Sequence, residues 1–299
     1  MAPIIADLKE SFRKGNINIQ LIFINVAVFV ATSLISILLQ LFNRSADNVF
    51  DLLALPASLT RFVAQPWSLF TYMFMHADFL HILFNMLWLY WFGSLFLTFF
   101  SAKHLRGVYI VGGIAGGLFY MISYNVFPLF QSAVAGSIMV GASASILAIV
   151  TATAYREPNY PIRLLLLGTV RLKYLALGVV VIDMMQAASG NAGGHIAHLG
   201  GALAGILFGF CLSKGTDITS WINKLLDGIT ALFSKKTWKR KPKMKVHYGS
   251  SNHEKDYQYN ATKKAQSDEV DRILDKLKKS GYESLATEEK KNLFDASKK

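Results

Sequence analysis

A chain of 299 residues that is 53% hydrophobic, with a mean hydropathy of +0.34, is more apolar than an average soluble domain. Its one cysteine, Cys211, excludes an internal disulfide framework. The net charge of +12 sits mainly in a basic tail beside an apolar region, so attraction to anionic lipid headgroups accounts for it more simply than nucleic-acid binding.

Crossing a bilayer as a helix takes about 20 mostly apolar residues. Residues 1–18, with Lys9, Arg13 and Lys14, form a polar N-terminal segment, and Ile19–Phe42 is the first such stretch. It is too long for a signal-peptide core and reads as a retained anchor. Residues 43–71 carry Asn43, Arg44, Asp47, Asp51, Arg61 and two prolines, too polar to span. The second span runs from His81 to Phe100. Gly107 to Tyr155 holds no formal charge and is long enough for two spans, divided by a polar break at 123–137. Leu164–Leu167 is too short to cross and is expected at the inner surface. From Tyr174 to Leu212 the only formal charge is Asp183, and AASGNAGG (187–194) turns the chain between two more spans. The reading is an all-α polytopic membrane protein with six spans over residues 19–213. Lysine and arginine collect on one side of the membrane, so the positive-inside rule predicts that both termini are cytoplasmic, in an inner or plasma membrane.

Beyond the spans, residues 214–234 suit an interfacial helix, 235–266 a basic and polar linker, and 267–299 a small helical module. Val270, Ile273, Leu274 and Leu277 form an amphipathic stripe. Ser267 is the expected cap and Ser280-Gly281 the expected stop. Thr287 is expected to start a second helix carrying Leu293 and Phe294. So small a module is expected to dock, on a cytoplasmic partner, on itself or on the inner membrane surface.

Three spans entering from the same side bring polar side chains to one depth. Ser143 lies at the start of the fourth, His195 and His198 at the start of the sixth, and His81 and Asn85 at the start of the second. Polar groups in a bilayer are costly and face the bundle interior or a wet cavity. A serine hydroxyl needs a base to become a nucleophile, and neutral histidine is the usual one near pH 7. An oxyanion needs N–H donors. Asn85, His81 and a serine backbone N–H near a helix start can supply them. Gly201, Gly205 and Gly209 recur every four residues, and Ala144, Ala148 and Ala152 form a matching row. Such spacing lets transmembrane helices pack backbone to backbone. Ser145 is expected to pack or to bond the backbone, and His76 to lie in the wet interface. His195 is an alternative base. Asp183 either orients a histidine or is a buried, paired acid. The aromatic run Trp88, Tyr90, Trp91 and Phe92 reads as lipid-facing surface or core.

His81-Ile-Leu-Phe-Asn85, Gly141-Ala142-Ser143-Ala144 and Ala197-His198-Leu-Gly-Gly201-Ala-Leu-Ala-Gly205 together resemble the motifs of the rhomboid family of intramembrane serine proteases, over residues 19–213. The resemblance implies a metal-free, cofactor-free Ser–His dyad, with Ser143 as nucleophile and His198 as general base. His81, Asn85 and the Ser143 N–H would form the oxyanion hole, and Gly141, Gly201 and Gly205 would serve helix packing beside the site. It also implies membrane-anchored protein substrates. The C-terminal module resembles one found after some Bacteroidetes-type rhomboids. Two positions depart from the pattern: Ala144 stands where many members have glycine, and Trp67 is followed by Ser68 rather than arginine. A catalytically silent relative that binds client helices is the alternative. H-E-x-x-H, the zinc-protease signature, is absent from the sequence.

Overall fold

The computed structural model describes residues 12, 15–45, 47–164, 168–233 and 253–297. Contacts divide the chain into two compact units, Met1–Thr237 and Trp238–Lys299.

The bundle of the first unit is formed by six of its described helices: α1 (Ile17–Leu41), α2 (Phe79–Phe99), α3 (Ala102–Val126), α4 (Ser143–Arg156), α5 (Leu172–Gln186) and α6 (Ala192–Ser213). Three are started by side chains that satisfy free N–H groups. Asn16 accepts from Ile19 N, Asp78 from His81 N and Ser101 from His104 N. α1, α2, α3 and α6 are long and apolar enough to cross a membrane. The expected fourth and fifth spans differ, being helical over only 14 and 15 residues, about 21–23 Å at 1.5 Å per residue. Chain outside a helix can lie at membrane depth only where protein satisfies its backbone. The segment leading into α4 meets that condition. Strand β2 (Ile138–Met139) pairs antiparallel with β1 (Leu55–Pro56), Ala57 N donates to Ser137 O at 3.0 Å, and Gly141 N donates to Tyr72 O at 3.0 Å.

α4 is the centre of the bundle. Eleven of its 14 residues are buried, with α3 on one side and α6 on the other. A methyl on Gly201 would overlap the Ala144 carbonyl, and one on Gly205 would overlap the Ala148 carbonyl. Thr151 Oγ1 donates across the same seam to Ala202 O at 3.0 Å. Gly209, third in the expected row, instead faces the Tyr155 ring. On the opposite side, Gly112 meets Ala148 and Gly116 meets Ala144. Small residues on three helices thus bring three backbones close together.

The loop before α2 holds short helices at Asp47–Leu53, Leu59–Ala64 and Ser68–Thr71. Trp67 Nε1 donates to Leu52 O at 2.9 Å and Thr71 Oγ1 to Leu53 O at 2.7 Å. Arg61 pairs with Asp51 at 3.2 Å. These bonds tie the loop together at a position where Ser68, not arginine, follows the tryptophan. Between α4 and α5 the chain forms a hairpin of β3 (Pro161–Leu164) and β4 (Gly168–Arg171). It is a small departure from an all-helical reading, and residues 165–167 of the expected surface piece lie outside the described residues.

After α6, helix α7 (Ser220–Phe233) occupies the expected interfacial stretch. Arg106 donates to Asn223 Oδ1 at 2.8 and 2.9 Å and to Asp227 Oδ1 at 2.8 Å, and Lys103 Nζ donates to Asp227 Oδ2 at 3.1 Å. Those two cations hold the Asp227 carboxyl below its ordinary range. His104 Nε2 approaches Asp217 Oδ2 at 3.6 Å.

The second unit contains α8 (His253–Ser280) and α9 (Thr287–Ser297). Residues 235–252 of the expected linker lie outside the described residues. From His253 onward that stretch is helical, which corrects the linker reading there. Ser267 is an interior residue of α8, not its cap. The reason is length: polar residues N-terminal to the apolar stripe continue the same helix. The helix stops before Gly281, whose φ of +79° suits glycine. Ile273 and Leu285 are buried, and Lys276 bonds Glu289 at 2.8 Å.

Candidate active site

Asp78 caps α2, which sets His81 and Asn85 one above the other on consecutive turns. Ser143 is the first residue of α4, so its backbone N–H has no partner within that helix. His198 lies in the second turn of α6. The glycine contacts of α6 with α4 draw these two helix starts together, and His198 Nε2 lies 2.6 Å from Ser143 Oγ. That pair joins residues 55 apart in the chain through a single hydrogen bond.

His81 faces the same place. Its Nδ1 accepts a long 3.4 Å bond from Ala77 N, which leaves the ring proton on Nε2. A methyl on Gly141 would come within 2.9 Å of His81 Nε2 and 3.6 Å of Ser143 Oγ. Gly141 therefore differs from the helix-packing role expected of it. It lies in the loop before α4, at φ +133°, and leaves the space that His81 fills. Asn85 Nδ2 donates to His81 O at 2.8 Å, which leaves its other N–H available.

Asp183, on α5, is buried, and its Oδ1 lies 2.8 Å from His195 Nδ1 and 2.9 Å from His198 Nδ1. Both sequence readings fit this geometry: Asp183 is a buried, paired acid, and it is also placed to orient a histidine. His195, the alternative base, is engaged with Asp183. The three donor atoms of Asp183, His195 and His198 lie within 4.8 Å of one another, the one such group among the described residues. The two spacings to Asp183 Oδ1 are hydrogen-bond lengths.

Ser145, two residues beyond Ser143, is fully buried and packs against the position of Gly113. His76 corrects an expectation. It is fully buried, not in the wet interface, and its ring meets that of His81 edge-on at 5.1 Å. Burial, and then the neighbouring His81, push its imidazole down to about 4, so it is neutral near pH 7. The α3 glycines that seat α4 are a contribution that spacing on α4 and α6 alone misses. The sequence signal was there, in Gly112-Gly113 and Gly116-Gly117 four residues apart.

Two cavities meet at Ser143 and His198. One of about 220 Å³ is apolar, lined by Phe84, Trp88, Ile146, Leu147 and Val179 between α2 and α5. The other, about 660 Å³, is lined by Asp78, His81, Asn85, Ser137 and Asn191. The arrangement thus has an oily approach and a polar one to the same hydroxyl. Trp88, Trp91 and Phe92, expected as surface or core, also line a separate cavity of about 960 Å³ with Tyr160 and Leu175.

Comparison with known proteins adds family relationships. The Rhomboid domain family matches residues 63–215, and a family of unknown function (DUF6576) matches residues 253–299. The chain is similar to RHOMBOID-like protein 12, mitochondrial, of Arabidopsis thaliana, with 27% identity over 157 residues, 50% of this chain and 47% of that protein. It is also similar to Rhomboid protein 1, mitochondrial, of Saccharomyces cerevisiae, with 27% identity over 166 residues, 52% of this chain and 44% of that protein. The chain therefore spans less than half the length of each of these relatives.

Proposed function

The chain belongs to the rhomboid family, and from that premise we propose that it is an intramembrane serine endopeptidase that cuts membrane-anchored proteins within or beside their transmembrane helices. One observation carries the reading: His198 Nε2 lies 2.6 Å from Ser143 Oγ, with the two side chains on separate helices. A serine kept only for packing has no need of an imidazole acceptor at that distance, and Ser145 illustrates the contrast.

The chemistry follows from the atoms. Ser143 Oγ attacks the scissile carbonyl carbon while its proton passes to His198 Nε2. Negative charge gathers on the former carbonyl oxygen and is met by the Ser143 N–H, Asn85 Nδ2 and His81 Nε2–H. Loss of one such donor costs on the order of 10²–10³ in kcat in other serine proteases. The imidazolium then protonates the leaving amine. A water from the polar cavity, deprotonated by His198, releases the acyl group and restores the serine. The substrate helix approaches through the apolar cavity between α2 and α5, where its side chains stay out of water until the bond is exposed. No step calls on a metal or a cofactor.

The charge distribution supports a topology with both termini cytoplasmic and the site near the opposite face, in an inner or plasma membrane. Residues 19–213 then act as the protease domain, and α7 rests on the cytoplasmic lipid surface with Trp221 exposed. In this reading the second unit docks on a cytoplasmic partner.

The test is cleavage of a tagged model transmembrane substrate in reconstituted vesicles. Ser143→Ala and His198→Ala each abolish product, whereas Ser145→Ala keeps most of it. Fluorophosphonate labels the wild type and not Ser143→Ala. If Ser143→Ala cleaves as fast as the wild type, the assignment is wrong. If the wild type binds the substrate but never cuts it, the chain is instead a silent client binder.

A further inference from the structure

A carboxylate inside a bilayer is expensive unless it is bonded. Asp183 is the one formal charge between Tyr174 and Leu212, and both of its hydrogen bonds run from α5 to α6. The atoms involved carry the argument. Each histidine meets Asp183 Oδ1 through Nδ1, and a carboxylate oxygen can only accept. Both neutral imidazoles therefore hold their proton on Nδ1. For His198 this leaves a bare lone pair on Nε2, the nitrogen that faces Ser143 Oγ. In the other tautomer Nε2 would carry hydrogen and could not take the serine proton. His195 and His198 lie one turn apart on α6 and reach the same oxygen, so Oδ1 is held between two rings, while Oδ2 is buried without a hydrogen-bond partner among the described residues.

We propose that Asp183 is a positioning residue that holds His198 in its proton-accepting tautomer and orientation, giving a Ser143–His198–Asp183 relay, with His195 as the brace that keeps Asp183 in place. The inference rests on the protease reading above and adds an acid to the dyad that the family resemblance implies. Proton balance is simple. The Ser143 proton moves to His198 Nε2, the Nδ1 proton stays on His198, and the carboxylate stays ionised and strengthens its bond to the imidazolium. The leaving amine then takes the Nε2 proton.

The experiment measures kcat and KM for the model transmembrane substrate in vesicles, with wild type, Asp183→Asn, Asp183→Glu and His195→Gln. An asparagine amide can donate to Nδ1 and so favours the wrong tautomer. Asp183→Asn is expected to lower kcat on the order of 10²-fold, within the general-base range, with KM changed less than about threefold. A loss of folding or of the substrate approach would change labelling stoichiometry or KM instead. Asp183→Glu is expected to regain at least about tenfold in kcat over Asp183→Asn, because it restores the acceptor, and His195→Gln to lose about three- to tenfold. Should Asp183→Asn not fold, histidine ¹⁵N NMR of the wild type reads the same property directly. The expected signature is protonated Nδ1 and bare Nε2 at His198. A wild type that cleaves, with Asp183→Asn within about threefold of it in kcat or with His198 protonated at Nε2, overturns this proposal and leaves the protease reading intact. A wild type that never cleaves overturns the protease reading itself.

Discussion

α1 and α4 are opposites. α1 has the highest mean hydropathy of the long helices, 2.5 over its most apolar window, yet only 17% of that window is buried. α4 is short and built largely of alanine, serine and threonine, and is buried along most of its length. In water the more apolar helix would take the core. In lipid the solvent is itself apolar, so a leucine gains little by leaving it, and close backbone approach decides what packs inside. α1 instead adheres through a few polar contacts. Asn25 Nδ2 donates to Tyr109 Oη at 3.1 Å, and Asn18 Nδ2 to Tyr90 O at 3.1 Å. Leu34, Ile37, Leu38 and Leu41 stay exposed. Hydropathy thus finds the helices that meet lipid, and small residues find the helix that carries the serine.

That contrast can be broken first at the α4–α6 seam. Gly201→Leu is expected to have the largest effect, because the new side chain meets the Ala144 carbonyl and backbone cannot yield. Overpacking of this kind costs about 1–3 kcal/mol. Thermal unfolding in detergent should show the loss, and the separation of Ser143 from His198 should take cleavage below detection. An active, undestabilised Gly201→Leu would remove the packing account. Next comes Gly141→Ala, with a backbone strain of about 1–3 kcal/mol and a displaced His81. Its kcat should fall by at least about tenfold while KM moves little, as read by single-turnover cleavage.

Contacts of α1 should be worth less. Asn25→Leu is expected to cost about 0.6 kcal/mol, the mean for interhelical hydrogen bonds in a membrane, and Leu34→Ala less than about 0.5 kcal/mol. Equal losses from Leu34→Ala and Gly201→Leu in the same unfolding assay would erase the difference between the two helices. The smallest effect belongs to the exposed α3–α7 clamp. Asp227 has a depressed folded-state pKa, so its bonds to Arg106 and Lys103 contribute above its ordinary value of 3.8 and are lost as pH falls below it. At neutral pH, Asp227→Asn should leave cleavage unchanged, and hydrogen exchange of α7 should rise only slightly and less in high salt. A large loss of activity would mean that the clamp holds the bundle as well as α7.

The sequence by itself determined where the helices that meet lipid lie, because long apolar runs answer to bilayer thickness and charged residues interrupt them. The paired histidine and asparagine on α2 and the glycine spacing on α6 were also legible, since each is local and repeats with the helix. What only the tertiary structure decided depends on groups far apart in the chain. α4 could be short because β1 and Tyr72 satisfy the chain that leads into it, and α3 supplies half of its seat. Gly141 serves the His81 ring and not a helix contact. His76 is sealed from water by neighbours that no periodicity reveals. Most of all, Asp183 was ambiguous as a letter in an apolar run. A carboxylate takes its role from the hydrogens it meets, and those belong to two histidines on another helix, brought within bonding distance only when the bundle closes.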